Sequence, residues 1–80
     1  MTIDSAVRKR ISELLKQNDT NISKVSLKGG LTPSTLYDFM RGTTEHIQLN
    51  TIKSVCQGFG IKLNVFFDTD YFDSLEQEIR

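Results

Sequence analysis

Few side chains in this 80-residue sequence could carry out covalent chemistry, and those few stand alone. The single histidine, His46, has no cysteine or second histidine at the spacing of a metal site, and the single cysteine, Cys56, has no disulfide partner. No nucleophile has a histidine base nearby, and the pair Gly29 and Gly30 lacks the spacing and the lysine of a phosphate-binding loop. The sequence therefore predicts neither an enzyme nor a bound metal or cofactor.

The polar side chains of residues 32–41 have a clearer use, because they could form hydrogen bonds with the edges of DNA bases. Serine and threonine hydroxyls donate and accept, a tyrosine can contact a thymine methyl group, and a carboxylate can accept from a cytosine amino group. If this segment is a helix in the major groove, the candidates for base contacts are Thr32, Pro33, Ser34, Tyr37 and Asp38. The set lacks the paired contacts of arginine with guanine, so modest specificity per domain is expected.

Two short helices joined by a glycine turn are predicted to position these residues, within residues 22–41. In the first helix, Ile22 and Val25 lie three residues apart and define one apolar face. A glycine just past a helix end adopts positive φ without a steric clash, so Gly29 and Gly30 are expected to supply the turn.

The second helix of the pair should cover residues 33–41. A threonine at the cap position and a proline at the first helical position favour its start, and Gly42 favours its end. The residues expected to face inward are Leu36, Phe39 and Met40, with Leu31 anchoring the turn. The two helices together form a helix-turn-helix pattern.

The spaced set of apolar, small and glycine residues resembles the DNA-binding domain of the phage Cro and C1 repressors, the xenobiotic-response-element class of bacterial regulators. The residues that carry the resemblance are Val25, Ser26, Gly30, Leu31, Leu36, Phe39 and Gly42. Residues 51–68 look like the family's fourth helix and a following Leu-x-x-Phe-Phe turn, so the resemblance covers about residues 5–68. It implies an all-α fold, a five-helix lambda-repressor-like domain over residues 1–68, with the helix-turn-helix at helices 2 and 3.

A helix-turn-helix also needs groups that bind the DNA backbone. The phosphate candidates are Asn21, Ser23, Arg41, Thr43 and Thr44. Asn21 is the expected N-cap of the first motif helix, whose N-terminus would attract a phosphate. The resembled family often has glutamine where Ile22 stands and a lysine or arginine near Thr43, so two of its contacts are weakened here.

Apolar spacing predicts the remaining helices. The first should cover residues 5–18, with Asp4 or Ser5 as its cap, the fourth residues 49–59, and the fifth residues 61–67. The residues expected to face the core are Val7, Ile11, Leu14 and Leu15 in the first helix, Leu49, Ile52, Val55, Cys56 and Phe59 in the fourth, and Leu63, Phe66 and Phe67 in the fifth.

Charge is distributed unevenly along the chain. Residues 1–44 contain seven Lys and Arg against four Asp and Glu, whereas residues 45–80 contain three against six, which gives zero net charge. The basic part contains the motif, which favours contact with DNA. Within it, Arg8, Lys9 and Arg10 are expected either to form a solvated helix face or to contact phosphate from the first helix.

An acidic, aromatic tail, residues 69–80, follows the domain. Its apolar residues are Tyr71, Phe72, Leu75 and Ile79. Because a core of this size has little room for them, we expect the tail to form a lid over helices 1 and 4 or to contribute to a homodimer interface.

Two functions from different classes fit these features. The resemblance implies a sequence-specific regulator of double-stranded DNA, a repressor that acts as a homodimer without a cofactor. The alternative is an antitoxin-like protein-interaction module with weak DNA binding, whose acidic tail grips a basic protein partner; Ile22, Thr43 and the zero net charge favour it. No segment is typical of a signal peptide or a membrane span, so a cytoplasmic location is expected.

Overall fold

The computed structural model describes residues 1–75, and this part of the chain is all-helical. Its helices are α1 (Ile3–Gln17), α2 (Ile22–Lys28), α3 (Pro33–Arg41), α4 (Leu49–Phe59), α5 (Leu63–Phe67) and α6 (Asp70–Asp73). The all-α class and the helix-turn-helix at the second and third helices are confirmed, and α6 is added to the five predicted helices.

Helix α1 begins two residues earlier than predicted because Thr2 caps it, and not Asp4 or Ser5. The Thr2 hydroxyl accepts a hydrogen bond from the Ser5 amide at 3.1 Å, which satisfies one of the free N–H groups of the first turn. Asp4 lies in that turn, where a negative charge is favourable. The predicted core residues that are buried in α1 are Val7, Ile11 and Leu14, and Leu15 is half-buried.

Helices α2 and α4 pack at a distance that requires glycine. A Cβ atom on Gly58 would lie 2.2 Å from the carbonyl oxygen of Val25, and one on Gly29 would lie 2.1 Å from that of Ser54. Gly29 has a φ of −86°, so it is needed for this contact rather than for left-handed backbone. The turn itself uses Gly30, whose φ is +77°. Both glycines lie in the turn after α2, as predicted, but only Gly30 has the positive φ that was expected of the pair.

The core lies among α1, α2, α3, α4 and α5. The buried residues that the last three of these contribute are Leu36, Phe39, Ile52, Val55, Cys56 and Phe66. The prediction that Leu49 faces the core is wrong, because Leu49 is the first residue of α4 and is 68% exposed. Ile47, from the preceding loop, packs against the core instead.

Helix α5 begins at Leu63, two residues later than predicted, because Ile61 completes the end of α4. Gly60 has a φ of +73°, and the Ile61 amide donates to the carbonyl of Cys56 at 3.0 Å. Lys62 then has extended backbone and is the N-cap residue of α5.

The described part of the tail lies against α1 and α5. The Tyr71 hydroxyl donates to the Glu13 carboxylate at 2.6 Å, and the Lys9 ammonium lies 4.5 Å from the centroid of the Tyr71 ring. The Phe72 ring is 5.0 Å from the ring of Phe67, in an edge-to-face arrangement. Ile79 lies outside the described residues, and the role of the tail in a homodimer stays a prediction.

Alkaline titration tests the hydrogen bond between Tyr71 and Glu13. Burial, followed by the hydrogen bond to Glu13, raises the pKa of Tyr71 to about 12. Because the neutral phenol is favoured in the folded chain, its stabilising effect is complete below about pH 10 and is lost as the pH rises to about 12. We expect phenolate absorbance to show a component near pH 12 that Tyr71→Phe removes. A wild-type titration without this late component would contradict the contact with Glu13.

Candidate nucleic-acid interface

The turn between α2 and α3 sets the direction of α3. The Leu31 amide donates to the carbonyl of Ser26 at 2.8 Å, and the Leu31 side chain packs against the core. Thr32 is the N-cap residue and Pro33 stands at the start of the helix, as predicted. The Thr32 hydroxyl caps no backbone N–H, however, and lies 2.9 Å from the hydroxyl of Thr35. Both hydroxyls therefore stand together at the exposed start of α3.

Helix α3 separates an apolar face from a polar one. Leu36 and Phe39 are 0% and 2% exposed and fix the helix in the core. Among the residues predicted to contact bases, Thr32, Ser34 and Tyr37 are exposed, and Pro33 and Asp38 are half-buried. Thr35 is also exposed but was not among the predicted contacts, although its hydroxyl and its place beside Ser34 could have indicated it.

Asp38 and Arg41 form an ion pair on the outer side of α3. The Arg41 Nη2 atom lies 2.7 Å from Asp38 Oδ1, and the two side chains are 64% and 40% exposed. The residues are three apart, a spacing that brings side chains together on a helix. Because the pair is exposed, it contributes little to stability, but it offsets the carboxylate charge that would repel phosphate.

The predicted phosphate ligands stand at the start of α2 and after the end of α3. Asn21 is the N-cap of α2, as predicted: its side-chain oxygen accepts from the Lys24 amide at 3.0 Å, which leaves its NH₂ group as a donor. Ser23 is half-buried in the first turn of α2. Thr43 and Thr44 are exposed in the loop after α3.

The Arg8 side chain binds backbone carbonyls and is not part of a solvated face, so that expectation is wrong, and contact of Arg8 with phosphate stays a prediction. Its Nε atom donates to the carbonyl of Phe39 at 2.8 Å, and its Nη2 atom donates to the carbonyls of Thr44 and Glu45 at 3.3 and 3.0 Å. The guanidinium carbon lies 4.4 Å from the centroid of the Phe39 ring. Arg8 therefore joins α1 to the end of α3 and to the loop that follows.

Arg10 has a similar function at the end of α5. Because Arg10 is buried, the expectations of a solvated helix face and of a phosphate contact are both wrong for it. It is only 9% exposed, and it donates from Nε to the carbonyl of Phe66 at 2.7 Å and from Nη2 to that of Val65 at 3.0 Å. A cation is favourable at a helix C-terminus, where carbonyl groups lack partners within the helix. The acceptors are more than 50 residues away in sequence, so no local pattern could have indicated them.

His46 and Cys56 each have contacts within the fold: His46 lies beside a carboxylate, and Cys56 is buried in the core. The His46 Nδ1 atom lies 2.7 Å from Asp4 Oδ2, and residues 1–75 contain no group of three side chains that could hold a metal ion. Cys56 is 2% exposed, and its burial raises the pKa of its thiol. The thiol is therefore protonated at neutral pH and packs as a small apolar group.

An apolar face that fixes the second helix of a glycine-turn pair, with a polar face left exposed, defines the helix-turn-helix class of DNA-binding domains. A family model of the Cro/C1-type HTH DNA-binding domain matches residues 10–67. This match covers more than half of the sequence, and the chain belongs to that family. It is a DNA-binding transcription regulator.

Two further comparisons gave no match, one with curated proteins and one with solved structures. None of the helices in residues 1–75 is long and apolar enough to cross a membrane.

Proposed function

We propose that this protein is a sequence-specific repressor that binds double-stranded DNA in the cytoplasm as a homodimer. Each copy would place α3 in a major groove, and repression would follow from blocking access of the polymerase. The observation that supports this proposal most directly is that α3 has one buried and one exposed face. Leu36 and Phe39 are buried, whereas Ser34 and Tyr37 are exposed. A helix held in this way can enter a groove without disturbing the core.

The size of the domain fits a dimer on adjacent half-sites. Half-sites read by such dimers lie roughly 34 Å apart, one turn of the DNA. The described domain measures 36 × 25 × 20 Å, so two copies can lie side by side at that spacing. Apolar side chains such as Met1, Ile3 and Val65, which are 64%, 51% and 44% exposed, offer surface for contact between copies.

A salt series tests the proposal. Binding of the purified protein to random and to selected duplexes is measured at several salt concentrations, and its mass in solution is measured under the same conditions. We expect a palindromic selected site, a dimeric mass and an affinity that falls steeply with salt. A monomer with negligible binding at all salt concentrations would overturn the proposal.

A monomer with negligible DNA binding would favour the antitoxin-like alternative. One observation in the structure supports that alternative. Arg8 and Arg10 bind backbone carbonyls and Arg41 pairs with Asp38, so all three arginines in the basic part have partners within the protein. An interaction module would instead bind a basic protein through the acidic tail.

Substitutions on the exposed face of α3 test its role in reading sequence. Each contact to a base edge that is lost should reduce discrimination by about 1 kcal/mol, or several-fold in the ratio of specific to random binding. We expect Ser34→Ala and Tyr37→Ala to lower this ratio while thermal stability stays close to that of the wild type. Ser12→Ala, at an exposed serine on α1, is the control. An unchanged site preference in both α3 variants would remove α3 from the recognition surface.

The Asp38 and Arg41 pair gives a second prediction, which concerns phosphate rather than base contacts. Arg41→Ala should weaken binding to all duplexes alike and reduce the salt slope by about one unit. Asp38→Ala should do the opposite and strengthen binding to random DNA, because it removes a negative charge and frees the arginine. An unaltered slope in Arg41→Ala would mean that Arg41 contacts no phosphate.

A further inference from the structure

We propose that Asp4 and Arg8 are positioning residues for DNA binding, which hold the loop after α3 in place from the side of α1 without touching the DNA. This inference rests on the proposed function, because it needs the loop, residues 42–48, to make the phosphate contacts that the sequence predicts for Thr43 and Thr44.

The first step concerns where Arg8 holds the chain. Its three acceptors are the carbonyls of Phe39, in the last turn of α3, and of Thr44 and Glu45, in the loop. Thr43 and Thr44 thus lie in a segment that is fixed at both ends by one guanidinium group. The planar guanidinium can bind several acceptors in fixed directions, and the Phe39 ring 4.4 Å away holds its plane.

The second step concerns Asp4, which lies one helical turn before Arg8 and therefore on the same face of α1. The Asp4 carboxylate lies 2.7 Å from the His46 ring, two residues beyond Thr44. Its side chain is 16% exposed, whereas that of His46 is 76% exposed. The same face of α1 thus reaches the loop at a second point, farther along the chain.

The third step concerns the loop itself. Within it, the Gly42 amide donates to the carbonyl of Phe39 and the Thr44 amide donates to that of Asp38, both at 3.1 Å. The Phe39 carbonyl therefore accepts from both Gly42 and Arg8. Without Arg8, residues 42–45 would keep these short-range hydrogen bonds on an exposed surface, which open readily, and the Asp4 contact would hold the loop only farther on, at His46. Thr43 and Thr44 would then have to become ordered when they bind phosphate, and this cost lowers the affinity for DNA.

Charge-conserving and charge-removing variants of Arg8 separate positioning from direct phosphate contact. Arg8→Lys keeps the charge but cannot bind three carbonyls in fixed directions, and Arg8→Gln removes the charge. We expect both to lower affinity for the selected duplex about tenfold with an unchanged salt slope. A direct phosphate contact would give a different result, with Arg8→Lys close to the wild type and the slope of Arg8→Gln reduced by about one unit; that result would overturn the proposal.

Amide hydrogen exchange of the free protein provides a readout that does not depend on DNA. Exchange at Gly42 and Thr44 should become at least tenfold faster in Arg8→Lys and Arg8→Gln, and faster by a smaller factor in Asp4→Asn. The matched control is Lys16→Gln, which removes a positive charge from an exposed position of α1. Unchanged exchange in the Arg8 variants would overturn the proposal even if affinity fell.

The two experiments fail in distinguishable ways. If the wild-type protein bound no duplex, the proposed function would be wrong, while faster exchange in the Arg8 variants would still show the link between α1 and the loop. If the Arg8 variants did not fold, Asp4→Asn would decide the matter, because its contact is with an exposed side chain at the surface. Exchange and affinity both unchanged in Asp4→Asn would then count against the proposal.

Discussion

Replacing Gly58 with alanine is expected to unfold most of the protein at room temperature. The new methyl group would lie 2.2 Å from the carbonyl oxygen of Val25 and 2.9 Å from its Cγ1 atom, so α2 and α4 would have to move apart. At an uncrowded helix position, replacing glycine with alanine stabilises a protein by about 1 kcal/mol, because alanine has the higher helix propensity. At Gly58 the steric clash outweighs this gain, so the change should be destabilising. We expect a net loss of about 3 kcal/mol or more, which is comparable with the whole stability of so small a domain.

Urea unfolding followed by circular dichroism measures this loss. Gln57→Ala, at the exposed neighbouring position of α4, is the control and should leave stability nearly unchanged. Gly29→Ala should behave like Gly58→Ala, because its Cβ would meet the carbonyl of Ser54. A Gly58→Ala protein as stable as the wild type would mean that the two helices lie farther apart.

Arg10→Met is expected to be the other strongly destabilising change. Methionine keeps most of the buried aliphatic volume but removes the side-chain donors to the carbonyls of Val65 and Phe66 at the end of α5, and the Val65 carbonyl keeps the Asp68 amide as a donor. Hydrogen bonds to charged groups contribute about 1.5–3 kcal/mol each, so the loss of two removes about 3–6 kcal/mol, and the net fall in the free energy of unfolding should be about 2–4 kcal/mol. The charge itself is costly to bury, which offsets part of that loss.

The effect of Arg10→Met should be largest near the C-terminal helices. We expect the melting temperature to fall and the NMR signals of Phe66 and Phe72 to broaden or shift, because α6 packs on α5 through these rings. Lys16→Met, at an exposed position of the same helix, should change stability by less than about 0.5 kcal/mol. A similar small effect for Arg10→Met would show that solvent satisfies the α5 carbonyls equally well.

The sequence predicted features that depend on neighbouring residues. The bounds of α4 follow from apolar spacing and from Gly60, and the exposed face of α3 follows from the burial of Leu36 and Phe39. The pair of Asp38 and Arg41 was open to prediction for the same reason, because three residues separate them. Most of the candidate interface on α3 could therefore be located before the structure was known.

Features that depend on distant residues could not be predicted. Arg8 and Arg10 appeared to be surface cations because their carbonyl acceptors are 31 to 56 residues away in sequence. Gly58 had no apparent function because the backbone it approaches, at Val25, belongs to another helix. The apolar spacing of α4 also predicted wrongly that Leu49 faces the core. Spacing does not show where the end of a helix extends beyond the helices it packs against.

The arginines of residues 1–44 bind groups of the protein itself, and this affects how such a protein would find its target on DNA. Sliding along random DNA depends on a broad positive surface that follows the phosphates. Here the guanidinium groups of Arg8 and Arg10 are bound to backbone carbonyls, and that of Arg41 is balanced by Asp38. We therefore expect brief residence on random sequence and a search that proceeds mainly by free diffusion between sites. Occupancy of an operator would then depend closely on the number of copies of the protein in the cell.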